Sequence, residues 1–569
     1  MRLSKMKSSS GKEIYYVIQD VTRNEKRSTK IVETLGTLEE IKKNHNSLNP
    51  EQWMNEHLNE LNKKHKEDTQ KVLVSLSSGR PIALDQQRLY NGGYLFLKKI
   101  YYELELDTLC AEIQKKYRFK YNLNEILESL LYGRIIYPGS KLSTFTLSKH
   151  YLEQPSFALQ DMYRSLDVLA KEFNTLQAHV YKSSKNLIER DTSVLYYDCT
   201  NFYFEIEKEK GSRQYGVSKE NRPNPLIEMG LYMDGSGIPL AIGIHSGNTS
   251  EQETAIPLSM TIQNDFRLQK FVYCADAGLG SNKIKKFHNT KNHSYIVTQS
   301  LKKLKKHLKE WSLDPIGWSL PGSNQKIDLR ETDQTSKNKS IYYKERWINE
   351  NGLEERLIVS FSPVYKEYLR TIRNGQINRA DKLVEKQSTK TSSRQTDPKR
   401  LIKSEHITSS GEIAEEELVT LNTERIQQEE QYDGYYAVVT TLEDDIQTIL
   451  SINRNRWEIE ETFRLMKTNL EARPVYLQLD ERIKAHFLTC FLALLFYRIL
   501  EKQLPQGYSA TDIISTLRNM NYLKLDEGYI PTYTRSTLTD DLHQAFNLPL
   551  DTEIIPNKRI NSLLRSTKK

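Results

Sequence analysis

Cysteine is scarce. The 569-residue chain has four, Cys110, Cys199, Cys274 and Cys490, and no Cys-x2-Cys pair. That argues against a disulfide scaffold and a zinc ribbon and fits reduced thiols. Long apolar runs are also lacking. The most apolar run, 487–500, spans 14 residues and contains Thr489 and Arg498. A membrane-crossing helix needs ~20 residues, so a buried helix is expected there. The opening residues MRLSKMKSSSGKEIYY have no signal-peptide apolar core. The expectation is a cytoplasmic chain. His245 and His293 show no metal-ligand spacing, and no internal repeat is visible. Apolar residues make up only 37%, against a usual ~45–50% that also counts glycine. Yet 33 Tyr, 16 Phe and 5 Trp supply cores and exclude global disorder. Neither sign of charge dominates. The 82 Lys+Arg and 74 Asp+Glu leave +8, which is compatible with an anionic partner without requiring one.

At ~100–200 residues per domain, three to five units are expected. Residues 13–37 read as a hairpin around the charged turn TRNEKR, and 38 to about 71 as polar helix. Residues 94–190 are mostly helical. Leu123, Ile126, Leu127, Leu130 and Leu131 recur at helix spacing, with Asn122 or Asn124 as cap. The break at 137–140 and the helix after it suit either a DNA-binding helix-turn-helix or two members of an ordinary bundle. Strand patterns follow at 194–198, 202–206, 226–233 and 238–244, then a helix over 251–262 and strands at 271–275 and 294–298. This order suggests a mixed sheet flanked by helices. Residues 300–434 interrupt it with a basic helix, short strands at 340–347 and 356–361, and a Ser/Thr/Lys-rich stretch, 387–412, expected as a flexible loop. A strand at 435–441 and a long helix over 443–470 complete the pattern.

Three carboxylates stand out. Asp198 and Asp276 each end a strand pattern, and Gly278 and Gly280 after Asp276 let the backbone turn away from a ligand. Glu460 follows Arg456 by four residues and precedes Lys467 by seven. On one helix these three share a face. Carboxylates with substrate phosphate and water satisfy Mg²⁺, and paired ions drive phosphodiester displacement. The same residues also describe strand-end caps and a plain helix ion pair.

Wider motifs add to this pattern. Tyr197-Asp198-x-Thr200-x-Phe202-Tyr203-Phe204, Gly216-x-Ser218-Lys219 and Gly230-Leu231-x2-Asp234-x2-Gly237-Ile238-Pro239 come first. Gly247-Asn248-x2-Glu251-x2-Thr254 and Ala275-Asp276-x-Gly278-Leu279-x-Ser281 follow, and a last set runs from Arg456 to Val475. Together they resemble DDE transposases of bacterial insertion sequences, in the insertion-sequence-four superfamily. That family carries its third catalytic residue in Tyr-x2-Arg-x3-Glu-x6-Lys. Arg456, Glu460 and Lys467 match it, and Asn453 stands where the tyrosine would be.

The resemblance implies an α/β, ribonuclease-H-like catalytic core interrupted by a large β-rich insertion, with a mainly helical N-terminal region. The layout it suggests is 1–90, a hairpin and helical region; 91–190, a helical candidate for DNA binding; 191–299 and 435–500, the two parts of the core; 300–434, the insertion; and 501–569, a C-terminal region. It implies Asp198, Asp276 and Glu460 as catalytic metal ligands for Mg²⁺ or Mn²⁺, as two ions. It implies water attack on a phosphodiester at each element end, then attack of the freed 3′-hydroxyl on target DNA. The partners it implies are terminal inverted repeats, target DNA and a second copy of the chain, in a bacterial cytoplasm at the nucleoid. A silent end-binding relic or regulator, and a ribonuclease-H-fold nuclease without strand transfer, are the alternatives.

Charge placement fits a DNA partner. No acid lies between Asp276 and Glu310, while nine lysines do. Lys302, Lys303, Lys305 and Lys306 decorate the expected amphipathic helix, which suits phosphates; a solvated face or a membrane-surface helix would look the same. Arg456, Arg464 and Lys467 are further expected DNA contacts. Lys386, Lys390, Arg394, Lys399, Arg400 and Lys403 form a second basic set that either binds or only solubilises, with Arg370, Arg373 and Arg379 before it. Trp311, Trp318 and Trp347 suit either core packing or stacking on an extruded base.

Overall fold

The computed structural model describes all residues except 8–10, 24–25, 46–48, 69–71, 73, 75–77, 80, 292, 324, 387–391, 393–395, 408–415, 506 and 569. The chain divides into two compact units. The smaller takes in Met1–Gln86. Its expected hairpin is present, Glu13–Arg23 against Lys26–Gly36, and a strand the sequence did not signal, Arg2–Lys7, adds to it antiparallel. Helix Leu38–Asn44 follows behind a reciprocal cap between Thr37 and Glu40, then helix Pro50–Asp68.

The larger unit begins with a helical layer. Helix α1 (Leu123–Ile136) starts at Asn122, whose side chain accepts the Glu125 N–H at 3.3 Å. Eleven of its residues are buried, and helix α2 (Lys141–Ser148) buries Lys141, Thr144 and Ser148. Burial makes α1 an interior bundle member, whereas α2, the helix after the break, keeps Leu142 and Thr146 exposed.

An eight-stranded mixed sheet follows. Strands β1 (Val194–Tyr203), β2 (Leu226–Asp234) and β3 (Pro239–Ser246) are antiparallel neighbours. Helix α3 (Glu251–Asp265) returns the chain to β4 (Val272–Ala275), which pairs parallel with β1. Helix α4 (Asn282–Thr290) leads to β5 (Ser294–Thr298), parallel to β4. Strands β6 (Tyr342–Glu350), β7 (Leu353–Phe361) and β8 (Tyr435–Thr440) complete the order β6-β7-β8-β5-β4-β1-β2-β3. The hairpin of residues 300–434 therefore extends the core sheet, because β8 pairs antiparallel with both β7 and β5.

The face under α3 is packed by Tyr197, Tyr232 and Tyr273, all fully buried. Their hydroxyls find partners: Tyr197 meets Thr254 Oγ1 at 2.7 Å, Tyr232 meets Ser259 Oγ at 2.5 Å, and Tyr273 donates to the Leu279 carbonyl at 3.1 Å. Three expectations change. The amphipathic helix expected at Lys302–Lys309 is broken. A short turn, Leu301–Lys303, precedes helix α5 (Lys306–Leu313), and Leu304 and Lys305 between them are extended. Leu301, Leu304 and Leu308 are still buried as the pattern required. Residues 363–385 form a long helix, α6 (Pro363–Glu385), capped by Ser362. Half of the loop expected at 387–412 lies outside the described residues, Lys390 and Arg394 included, and its described part contains strand Ile402–Ile407, paired with Glu416–Leu421. Finally, the helix expected over 443–470 is two, α7 (Ile446–Asn455) and α8 (Trp457–Thr468), meeting at Arg456.

The 487–500 run lies inside helix α9 (Asp480–Gln503), where every residue from Phe487 to Leu500 except Arg498 is buried. By length and composition α9 could cross a membrane, yet 89% of its most apolar window is packed inside the protein. Its main neighbours are α1 and helix Leu159–Lys171.

Candidate active site

Asp198 lies inside β1 and not at its end, because the strand continues to Tyr203 against β2. What ends nearby is its parallel neighbour. The last registered β1–β4 pair is Tyr196↔Cys274. Two residues beyond that pair on each strand come Asp198 and Asp276. Paired strands run ~4.8 Å apart, so the last pair brings both chain segments to the same end of the sheet, where the Asp276 charge acts on Asp198. Asp276 leaves the strand as a cap, its Oδ1 accepting the Leu279 N–H at 3.0 Å. Gly280 is needed for close approach: a Cβ there would meet Val297 Cγ1 at 2.0 Å. Burial lifts the Asp198 pKa to about 6, and the Asp276 charge adds to the rise. Lys219, the Cys199 N–H (2.7 Å from Oδ1) and Arg456 oppose it.

Lys219 reaches this point through Asn201, on β1. The buried Asn201 amide donates to the Val217 carbonyl at 2.9 Å and accepts the Lys219 N–H at 3.3 Å. Gly216 lies so close to Gly247 that a Cβ would meet its carbonyl oxygen at 1.9 Å. That approach brings Lys219 to Glu251 at 2.9 Å and to the Cys199 carbonyl at 2.5 Å. Glu228 is buried among the same charges. Its Oε1 has no hydrogen-bond partner, and burial, then Glu251, pushes its pKa up to about 8. The sequence reading missed Glu228, since nothing in a strand pattern says which glutamate turns inward.

Glu460 sits in the first turn of α8 with its side chain 61% exposed. Its partner is Arg456, 3.5 Å away, and Arg456 also lies near enough to Asp198 to lower its pKa. Arg456 thus bridges the carboxylate pair and Glu460. Among the described residues, no group of three or more His, Cys, Asp or Glu side chains is close enough to hold a metal ion. The structure brings Asp198 and Asp276 together and leaves Glu460 on the far side of Arg456.

The expected DNA contacts divide by environment. Lys467 pairs with Glu220 at 3.3 Å and lies over the Phe202 ring at 5.3 Å. Arg464 pairs with Glu461 on the exposed face of α8. Lys302, Lys303, Lys305 and Lys306 are exposed, although Lys305 is paired with Glu350 at 2.6 Å. Lys285, from the same acid-free stretch, is buried against Glu355 at 2.7 Å and offers nothing to a ligand. Arg373 and Arg400 are likewise buried structural cations, held by Asp433 and by Glu429. Trp318 is fully buried in the core, Trp311 packs against it under Lys344, and Trp347 is 47% exposed on the edge strand β6. Asp234, in one of the family-like motifs, is structural. It pairs with Arg190 and accepts the N–H groups of Ser236 and Ile238, which closes the β2–β3 turn.

No curated protein matches the chain. Among solved structures it is similar to a piggyBac transposase in a synaptic complex with hairpin DNA, at 9% identity over 85% of this chain and 88% of that one, with a TM-score of 0.33. It is also similar to the Mos1 transposase in a paired-end complex with the left transposon end, at 10% identity over 42% of this chain and 66% of that one, with a TM-score of 0.14. The transposase DDE domain model matches residues 189–496, more than half of the chain and a span that includes Asp198, Asp276 and Glu460. The chain belongs to the transposase DDE domain family and is a DDE-type transposase.

Proposed function

We propose that this transposase cuts phosphodiesters at the ends of a bacterial insertion sequence of the insertion-sequence-four superfamily and joins the freed 3′-hydroxyls to target DNA. Its substrate is double-stranded DNA, and it acts as a homodimer on paired ends, in the cytoplasm at the nucleoid. The adjacency of Asp198 and Asp276 carries the proposal. A carboxylate whose pKa is raised by burial and by the charge of a neighbouring aspartate suits a hard divalent cation, Mg²⁺ or Mn²⁺. Asp198 and Asp276 would hold it, or a pair of such ions, with Glu460 as the third carboxylate. Such a cation activates water and polarises the scissile phosphate.

The chain's own residues do the rest. Arg456, next to both Asp198 and Glu460, and Lys219, next to Asp198, offset the charge on the phosphoryl oxygens. Lys467, Arg464 and the exposed lysines 302, 303, 305 and 306 hold the flanking phosphates. In the first step water forms a bond to phosphorus and the bond to the 3′-oxygen breaks. In the second, that 3′-hydroxyl forms a bond to a target phosphorus in line and loses its proton, while the target's own P–O3′ bond breaks and its 3′-oxygen leaves as a hydroxyl.

One observation favours a second reading, a protein that binds ends without cutting them: Glu460 stands apart from the aspartate pair. A cleavage assay separates the two. A duplex carrying the inverted repeat that flanks the gene is incubated with protein and Mg²⁺ or Mn²⁺. Cleavage by the wild type, lost in Asp198→Ala, supports the transposition chemistry; a gel shift without cleavage supports the second reading.

A further inference from the structure

Helix α8 begins near Glu460 and is held at its other end by the helical layer. Arg134, in α1, is 3% exposed. Its Nη1 donates to the carbonyls of Leu470 and Glu471 at 3.4 and 3.0 Å. Its Nη2 donates to the Gly139 carbonyl, in the turn between α1 and α2, at 3.0 Å. His486, in α9 and also buried, takes the next carbonyl: its Nε2 lies 2.9 Å from the Ala472 oxygen. A carbonyl only accepts, so Nε2 carries the hydrogen and Nδ1 keeps a lone pair. The buried Lys141 amine, from α2, donates to that lone pair at 3.4 Å. Three consecutive carbonyls just past α8 are thus bound by α1 and α9. The same segment is tied back into α8, since the Leu470 N–H donates to the Leu465 carbonyl at 3.1 Å and the Ala472 N–H to that of Met466 at 3.0 Å. Leu470 and Ala472 are fully buried. Glu471, between them, has a φ of +42°, a left-handed backbone that a residue with a Cβ keeps only where its surroundings impose it.

We propose that Arg134 and His486 are positioning residues for the active centre: by gripping the carbonyls of residues 470–472 they set where α8 stands along its axis, and so where it presents Glu460. Burial of Ile459, Phe463 and Met466 decides which face of α8 turns inward. Apolar contact is non-directional and does little to stop a helix from sliding. The hydrogen bonds of a planar guanidinium and an imidazole are directional, and a cation at a helix C-terminus also meets the negative end of its dipole. Sliding by one residue would move Glu460 by ~1.5 Å. Misplacing a reacting group by ~1 Å can cost about 100-fold in rate. The inference rests on Glu460 belonging to the active centre.

The test pairs amide hydrogen exchange with single-turnover cleavage. Full-length wild type, Arg134→Lys, His486→Leu and His486→Gln are compared. Lysine keeps the charge of Arg134 and loses its fork. Glutamine keeps an N–H donor and an acceptor at position 486, and leucine keeps neither. Arg134→Lys and His486→Leu should speed exchange over residues 457–475 at least ~10-fold, with β1, β2 and the rest of α9 exchanging as in the wild type. Their Mg²⁺-dependent cleavage of a saturating flanking-repeat duplex should fall ~100-fold. His486→Gln should restore both. A merely structural role predicts faster exchange throughout α1, α9 and the sheet, and a cleavage loss no larger than the loss of folded protein. That result, wild-type exchange over 457–475 in both variants, or wild-type cleavage by both, overturns the proposal. Should Arg134→Lys melt below the assay temperature, the His486 pair decides alone: local loosening with slow cleavage in His486→Leu, both reversed in His486→Gln, supports the positioning role, and no difference between the two overturns it. Cleavage by the wild type, lost in Asp198→Ala, reports separately on the underlying function. Exchange loosened only over 457–475 in a wild-type background that does not cleave would overturn that function and uphold the grip on α8.

Discussion

Asp198 and Asp276 each lie two residues beyond Tyr196↔Cys274, the last registered pair of the parallel strands β1 and β4, and the Asp276 charge acts on the Asp198 carboxyl. One strand runs on through Asp198 and the other stops at Ala275.

That pairing has a pH signature. The Asp198 pKa rises from 3.8 to about 6 on folding, through burial first, with Asp276 adding. Between these values the folded state binds more protons than the unfolded one, so stability falls as pH rises through the window. Asp198→Asn removes the titration. In chelator at pH 7.5 the variant should be more stable than the wild type by roughly 1–3 kcal/mol, with the gap closing below pH 4. Mg²⁺ should raise the melting temperature of the wild type and not of the variant. Melting curves with and without chelator check both; a gap independent of pH would contradict the assigned burial.

The Arg190–Asp234 ion pair is almost fully buried, with side chains 1% and 0% exposed. Removing one partner strands the other in the interior, at a cost of about 3–5 kcal/mol. Arg190→Met should therefore lower the denaturation midpoint sharply. Asp234→Ala should do the same, with loss of activity that follows loss of fold. A folded, stable Asp234→Ala enzyme that has lost only cleavage would instead place Asp234 in the active centre.

The exposed lysines should act through phosphates. The slope of log affinity against log salt falls by ~0.9 for each phosphate contact removed. Lys302→Ala with Lys303→Ala and Lys306→Ala should flatten that slope by about 2–3 and weaken binding to any sequence alike. Lys285→Ala, which breaks a buried pair with Glu355, should destabilise the protein and leave the slope unchanged. Titrations at several salt concentrations measure both.

Much of the core sheet was legible. The strand at 294–298 matches β5 end to end, Asn122 caps α1 as its chemistry suggests, and Asp276 does end a strand. Local pattern misled where pairing decided. Asp198 read as a strand end because Cys199, Thr200 and Asn201 look polar, yet β2 carries the strand through them. Arg456 read as mid-helix, since a kink between two good helix formers leaves the periodicity intact. The hairpin of β6 and β7 read as part of a separate insertion, since a strand does not announce which sheet it joins. At the site, the residue types and spacing pointed to Asp198, Asp276, Glu460, Arg456 and Lys467. The burial of Lys285, the inward turn of Glu228 and the approach of Tyr436 to Asn453 all depend on contacts between distant segments, which one sequence does not display.

The central claim is a single active centre in which Asp198, Asp276 and Glu460 serve together. The most direct measurement is Mg²⁺-dependent cleavage of a flanking-repeat duplex by the wild type and by Asp198→Ala, Asp276→Ala and Glu460→Ala, each checked for duplex binding and melting temperature. The account predicts that each variant binds and folds while cleavage falls at least ~100-fold. Exposed as it is, Glu460 should lose cleavage with no change in melting. Wild-type cleavage by Glu460→Ala would contradict the account.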